Sequence, residues 1–281
     1  MLSPREIHYR VGAAVRGAFP GRHRSVRGSS GFEFRGHASL MDVPDARRLD
    51  LRASLLDPFE QWRVRVQSER RAIPVAMVAD LSASMGFDGA CPKLQVMADF
   101  VDSLSWSAWR NADSFSFIGA DTQVRREFVL PPSRARGVAA DISTALRQWT
   151  PEGTSAQGLL DAHRYLGRHR TLVFLLSDFL LPAAQLAQLL DSLSVHHVVP
   201  VALWDRRELS LTAQRGLVRL IDPESGRRRL LWWRPAVRAR WAERQRAWRD
   251  EFLGVLRSRR LEPLVFEDGF DADAVTRYFH G

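Results

Sequence analysis

Cysteine and lysine occur once each in this chain of 281 residues, at Cys91 and Lys93. A single thiol excludes an internal disulfide and a cysteine-rich zinc site, and it fits a reducing compartment. We read Cys91 as a bystander. With one lysine, arginine supplies nearly all of the 41 basic residues behind the net charge of +9. A compositional bias of the source genome accounts for this better than selection for phosphate binding. No helix-turn-helix, zinc-finger or RNA-binding signature accompanies the charge, so nucleic acid is not expected as a partner. Long apolar runs are missing too: the best, Leu172 to Leu181, is broken by Ser177 and Asp178, and spanning a bilayer takes roughly 18 to 20 residues. The start, MLSPREIHYR, lacks the apolar core of a secretory signal. The expectation is a cytoplasmic protein without a transmembrane segment.

What is present is ordinary for a globular protein, with 45% hydrophobic and 26% charged residues. From about residue 73 onward, short apolar runs alternate with amphipathic ones, the pattern of a parallel sheet covered by helices. Ile73 to Ala79 reads as a central strand ending at Asp80. A helix fits Lys93 to Trp109, with Leu94, Met97, Val101, Leu104 and Ala108 at three- and four-residue steps. Lys93, in its first turn, reads as a surface residue. Ser114 to Gly119 and Val124 to Leu130 form an antiparallel hairpin that Pro131-Pro132 ends. Helices at Arg134 to Trp149 and Ala156 to Leu166 flank a loop, Thr150 to Ser155. Thr171 to Leu176 and His197 to Trp204 are further strands, and Pro182 opens the helix between them. Leu217 to Ile221 and Arg229 to Trp232, around Asp222 to Gly226, read as an inserted hairpin at about 215–233. A long helix from Pro235 to Arg259, a strand from Leu261 to Phe266 and a helix from Ala272 to Phe279 follow.

The expected fold class is therefore α/β: a Rossmann-like, mostly parallel sheet with one antiparallel edge hairpin and helices on both faces. It occupies residues 73–281. Residues 1–72 read as an N-terminal extension, partly β, with Arg22 to Gly36 as exposed loop and Gln61 to Val66 as an edge strand.

Asp80-Leu-Ser-Ala-Ser84 places one carboxylate and two hydroxyls at alternate positions just after a buried strand. In open α/β sheets ligands bind beyond the carboxyl ends of the strands, where the strand order reverses. Asp178 falls at another such end. Thr154, in the Gly153-Thr154 loop, can add a third hydroxyl at the same rim. Asp80, Ser82, Ser84, Thr154 and Asp178 are thus five hard oxygen donors that suit Mg²⁺ or Mn²⁺.

This order, D-x-S-x-S, then a Thr in a G-T loop, then an Asp after an apolar strand, resembles the metal-ion-dependent adhesion site of von Willebrand factor A domains. The resemblance implies that Ser82, Ser84 and Thr154 contact the metal, that Asp80 and Asp178 act mostly through water, and that an acidic side chain of a partner completes the shell. Asp45 to Arg52, Trp62 to Val66, Ala79 to Met85, Val201 to Asp205 and Leu217 to Gly226 are similar to a narrower branch. That branch is the bacterial domain of unknown function 58, often encoded beside MoxR-type AAA+ ATPases. Upstream, Val43 to Asp50 lacks the Trp of the family's usual G-D-x-x-R-x-I-D-W-like stretch. The implied function is a non-enzymatic, metal-dependent interaction module that works with a MoxR-type ATPase in assembly or maturation of a client.

Two other classes stand beside it. A metal-dependent phosphohydrolase using an aspartyl nucleophile would need a second carboxylate where Ser82 stands and a lysine at the phosphate. A metal-free scaffold would use the same loop only to cap the next helix. A serine-hydrolase reading fails for want of a G-x-S-x-G elbow. His196 and His197 would face opposite sides of a strand, and His163 and His169 read as surface. Trp241, Trp248 and Phe252 share a helical stripe expected to pack on the sheet.

Overall fold

The computed structural model describes residues 4–9, 20–24, 33–68, 70–87, 89, 92–205, 216–221 and 226–280. The chain divides into two compact units, Val11–Ile73 and Pro74–Gly281, the latter joined by Met1–Arg10. Cys91 and residues 25–32 and 222–225, on which sequence expectations were placed, lie outside the described residues.

The smaller unit contains β1 (Pro20–Arg24), β2 (Glu33–Ser39), the short helix α1 (Leu51–Leu55), β3 (Arg63–Ser68) and β4 (Arg70–Arg71). β2 pairs with β3 and β1 with β4, both antiparallel. The ends of the stretch read as loop, Arg22 to Gly36, are therefore strand wherever they are described. Asp50 opens α1 by accepting from the backbone N–H of Ala53 at 3.0 Å, and the same carboxylate receives Arg65 Nε at 2.7 Å.

In the larger unit, β5 (Pro74–Asp80), α2 (Lys93–Arg110), β6 (Ser114–Ala120), β7 (Val124–Ser133), α3 (Ala140–Gln148), β8 (Leu172–Ser177), α4 (Ala183–Ser192) and β9 (His197–Leu203) follow in turn. The antiparallel pair β10 (Gly216–Ile221) and β11 (Arg228–Trp233), then α5 (Pro235–Ser258), β12 (Leu264–Phe266) and α6 (Ala272–His280) complete it. Six strands form one sheet in the order β12-β9-β8-β5-β6-β7. All its pairings are parallel except that of the edge strand β7 with β6. This is the mostly parallel α/β sheet with one antiparallel edge pair that the sequence pattern led us to expect. β8 is buried at every residue, as a parallel strand covered on both faces must be. From β5 the chain steps to one side, to β6, and later returns to the other side, to β8, so the strand order reverses between β5 and β8.

Several boundaries differ from the sequence expectation for local reasons. β7 runs through Pro131-Pro132 to Ser133, because an edge strand needs no N–H on its outer side. α3 starts six residues late: Gly137 sits at φ +70° and holds a turn before it. The segment from Gln157 to Tyr165 is a 3-10 helix rather than an α-helix. A Cβ at Gly158 would lie 2.5 Å from the Gln123 backbone, so this segment is pressed against the β6–β7 turn. Of the expected stripe, Phe252 enters the core and Trp248 packs against it, while Trp241 faces Trp233 of β11, ring centroids 6.5 Å apart.

Residues 4–9 go with the larger unit. Ser103 and Ser107 of α2 accept the N–H groups of Arg5 and Ile7, and the Tyr9 hydroxyl donates to Asp113 at 2.7 Å. Ile7 and Tyr9 are buried. Among the described residues no helix is long and apolar enough to cross a membrane.

Candidate metal centre at the carboxyl edge of the sheet

Asp80 is the last residue of β5 and only 1% exposed. Its Oδ1 accepts the N–H of Ser82 at 2.9 Å, the local turn that an Asp makes with its own backbone two residues on. The chain then enters a short 3-10 turn, Ala83–Gly86. That turn brings the hydroxyls of Ser82 and Ser84 to 3.2 Å from each other, both buried.

The neighbouring strand contributes the second half. Ala79 pairs with Leu176, which places Ser177 beside Asp80. The Ser177 hydroxyl donates to Asp80 Oδ2 at 2.6 Å and accepts the N–H of Phe179 at 2.9 Å. Asp178 Oδ1 accepts from Leu180 N at 3.1 Å. Between them Phe179 takes a left-handed conformation, φ 57°, with its ring buried. Trp204, just past β9, donates its indole N–H to the Asp178 carbonyl at 3.0 Å.

Thr154 arrives on a third loop. Gly153 bridges to Ser82 in parallel fashion, and its carbonyl accepts from Ala83 N at 2.8 Å. Position 153 has to be glycine, since a Cβ there would stand 2.4 Å from the Cβ of the buried Asp121. The Thr154 side chain itself is exposed. Asp80, Ser82, Ser84 and Asp178 are thus gathered in the buried rim, and Thr154 lies next to it on the solvent side.

Lys93 corrects the sequence reading. It was expected at the surface, and it is 2% exposed, with Nζ 2.9 Å from Asp178 Oδ2 and 3.2 Å from the Ser84 carbonyl. The physical reason is the tilt of helical side chains toward the helix N-terminus: from the first residue of α2, a four-carbon stem reaches past the end of the helix into the rim. Its solitary occurrence was the signal in the sequence. Ser177 and Trp204 were also overlooked as site residues, because their roles depend on strand register and not on motif.

Burial raises the Asp80 carboxyl to about 6, and the Asp178 charge adds to this, while the bonds from Ser177 and Ser82 work in the opposite direction. Two carboxylates in one dry rim favour a cation there. The donors are hard oxygens, and the hydroxyl spacing suits adjacent positions of an octahedron, about 3.0 Å apart for metal–oxygen distances of about 2.1 Å. Asp80, Ser82, Ser84 and Asp178 therefore fit a divalent ion by donor chemistry, with Thr154 placed to join from the outside.

The family model described as Protein of unknown function DUF58 matches residues 45–251. The chain belongs to this family. The matched stretch begins inside the smaller unit and carries every residue of the rim. An uncharacterized protein in the moxR 3′ region of Paracoccus denitrificans is 42% identical over 80 residues, 28% of this chain and 72% of that one. Among solved structures, this DUF58 chain is similar to the conserved hypothetical protein BatB from Bacteroides thetaiotaomicron. The identity is 11% over 74% of this chain and 96% of the other, with a TM-score of 0.41. It is also similar to the pilus adhesin SpaC from Lactobacillus rhamnosus GG in its open conformation, at 12% identity over 75% and 30% of the two chains and a TM-score of 0.42.

Proposed function

We propose that this DUF58 chain is a non-enzymatic, metal-dependent interaction module of the cytoplasm. It works with a MoxR-type AAA+ ATPase in assembly or maturation of a client, and it takes Mg²⁺ or Mn²⁺. The observation that carries this is the state of Asp80: buried, with Oδ1 held by Ser82 N and Oδ2 by the Ser177 hydroxyl. Such a carboxylate is enclosed and oriented from within, with one donor on each oxygen and acceptor capacity left for an ordered water, which suits a holder better than a nucleophile. Ser82 and Ser84 would hold the ion, Asp80 and Asp178 would orient its water, and Thr154 would close the outer side. A bound divalent ion supplies one Lewis-acidic position that a carboxylate of the client can fill. The link to a MoxR ATPase is supported by the relative described as lying in the moxR 3′ region.

A pull-down from the native organism, with and without EDTA and repeated with Ser82→Ala, tests this proposal. Capture of the ATPase or client should vanish with chelator and with the variant; capture indifferent to both sinks the metal-dependent reading.

The phosphohydrolase alternative gains one observation, since the lysine it requires stands at the rim after all. Turnover of a phosphomonoester that survives purification and is abolished by Asp80→Ala would favour it over the adaptor.

A further inference from the structure

Lys93 is the one lysine in a chain whose other basic residues are arginines. It stands where a cation is least welcome on general grounds, in the first turn of the 18-residue helix α2, whose N-terminus carries partial positive charge. It is also fully enclosed. Its ammonium lies 2.9 Å from Asp178 Oδ2, with side-chain exposures of 1% and 2%, and it donates to the Ser84 carbonyl. Those two contacts belong to the loop after β8 and the loop after β5, on either side of the point where the strand order reverses. A guanidinium, planar and larger, does not substitute for such a compact point charge with donors in several directions.

We propose that Lys93 is a built-in counter-cation of the candidate metal centre. Its ammonium ties the two loops together and offsets the Asp178 charge, so that the rim is assembled without a bound ion, and a divalent ion must share the rim with a positive charge already in place. The inference rests on the metal reading of this rim and deepens it. With Asp80 and Asp178 ionised, the ammonium offsets one of these two charges. A divalent ion is attracted less for that reason, by the repulsion of the one ammonium. The wild-type chain is therefore a weak binder whose rim persists in chelator, and a client carboxylate gains from the surplus positive charge once an ion is in place.

The test is Mn²⁺ affinity by electron paramagnetic resonance, and thermal unfolding in EDTA and in excess Mn²⁺, for the full chain and for Lys93→Met. The wild type should unfold at nearly the same temperature in both buffers. Lys93→Met should bind Mn²⁺ about tenfold more tightly or better, unfold earlier in EDTA, and recover much of the loss in Mn²⁺. Wild-type binding that the variant leaves unchanged or weakens overturns the role of Lys93 while leaving the metal reading standing. No Mn²⁺ binding in either protein overturns the metal reading and this inference with it. Should Lys93→Met fail to fold, wild-type protein carrying [ε-¹³C]lysine gives one side-chain signal, because there is no other lysine. That signal must move in step with Mg²⁺ titration, and a signal unmoved at saturating ion overturns the proposal.

Discussion

The Ser177 hydroxyl lies 2.6 Å from Asp80 Oδ2, so a side chain at the end of one central strand caps the carboxylate at the end of the next. The same oxygen accepts the N–H of Phe179, which couples the orientation of Asp80 to the turn that carries Asp178. Ser177→Ala removes both links without changing the buried volume much. We expect a loss of about 1.5–3 kcal/mol in urea unfolding, as for a buried hydrogen bond to a charged group, together with a weaker affinity for Mn²⁺. An unchanged unfolding midpoint would show that the cap is replaceable by water.

Asp80 makes stability pH-dependent in chelator. Its carboxyl is raised from the ordinary value of 3.8 to about 6, so between those values the folded state binds more protons than the unfolded one. Stability then falls as pH rises through this window and stays lowered above it, by on the order of 3 kcal/mol for a shift of about two units. Asp80→Asn removes the buried charge. Its stability relative to wild type should grow from pH 4 to pH 7 in EDTA, while its Mn²⁺ binding is lost. A difference that stays constant with pH in paired melts would contradict the shift.

Phe179 holds a left-handed backbone at φ 57° while its ring packs 5.0 Å from that of Phe252. The conformation costs about 1–2 kcal/mol for a residue other than glycine, and burying the ring is worth about 3–5 kcal/mol. Phe179→Gly relieves the first and forfeits the second. The net should be destabilising by about 1–4 kcal/mol in chemical unfolding; a neutral result would mean that the turn, and not the ring, sets the stability of this loop.

In the smaller unit, Asp50 receives the Ala53 N–H, Arg65 and His37, and these bonds hold its carboxyl well below the ordinary range, the backbone bond most of all. A depressed carboxyl contributes stability that is present above the ordinary carboxylate range and lost as pH falls through the lowered value. By carbon-detected titration, Asp50 should remain ionised after ordinary aspartates have protonated. Arg65→Ala should raise its midpoint; an unmoved midpoint would assign the effect to the helix cap and His37.

Tyr9 and Asp113 bind the N-terminal segment to the end of α2 through a buried hydrogen bond. Tyr9→Phe keeps the ring and leaves Asp113, which is fully buried, with one donor fewer. A loss of about 1–3 kcal/mol is expected, readable as faster hydrogen exchange in residues 4–9.

The sequence by itself determined the α/β class, the antiparallel edge pair and the approximate places of the strands, because continuous apolar runs such as Thr171 to Leu176 can be buried on both faces only in a parallel sheet. It also marked Asp80, Ser82 and Ser84, whose alternation after a strand is a local pattern. Boundaries at Gly137, Gly158 and Pro131 escaped it, since each is set by a neighbouring segment or by edge position. What only the tertiary structure decided is which side chains meet. The strand order puts Ser177 beside Asp80 from 97 residues away, and the direction of a helical side chain turns Lys93 from an expected surface residue into the cation at the centre. Spacing along a chain carries no information about a neighbour reached across a sheet, so the charge balance of this rim is written only in the folded molecule.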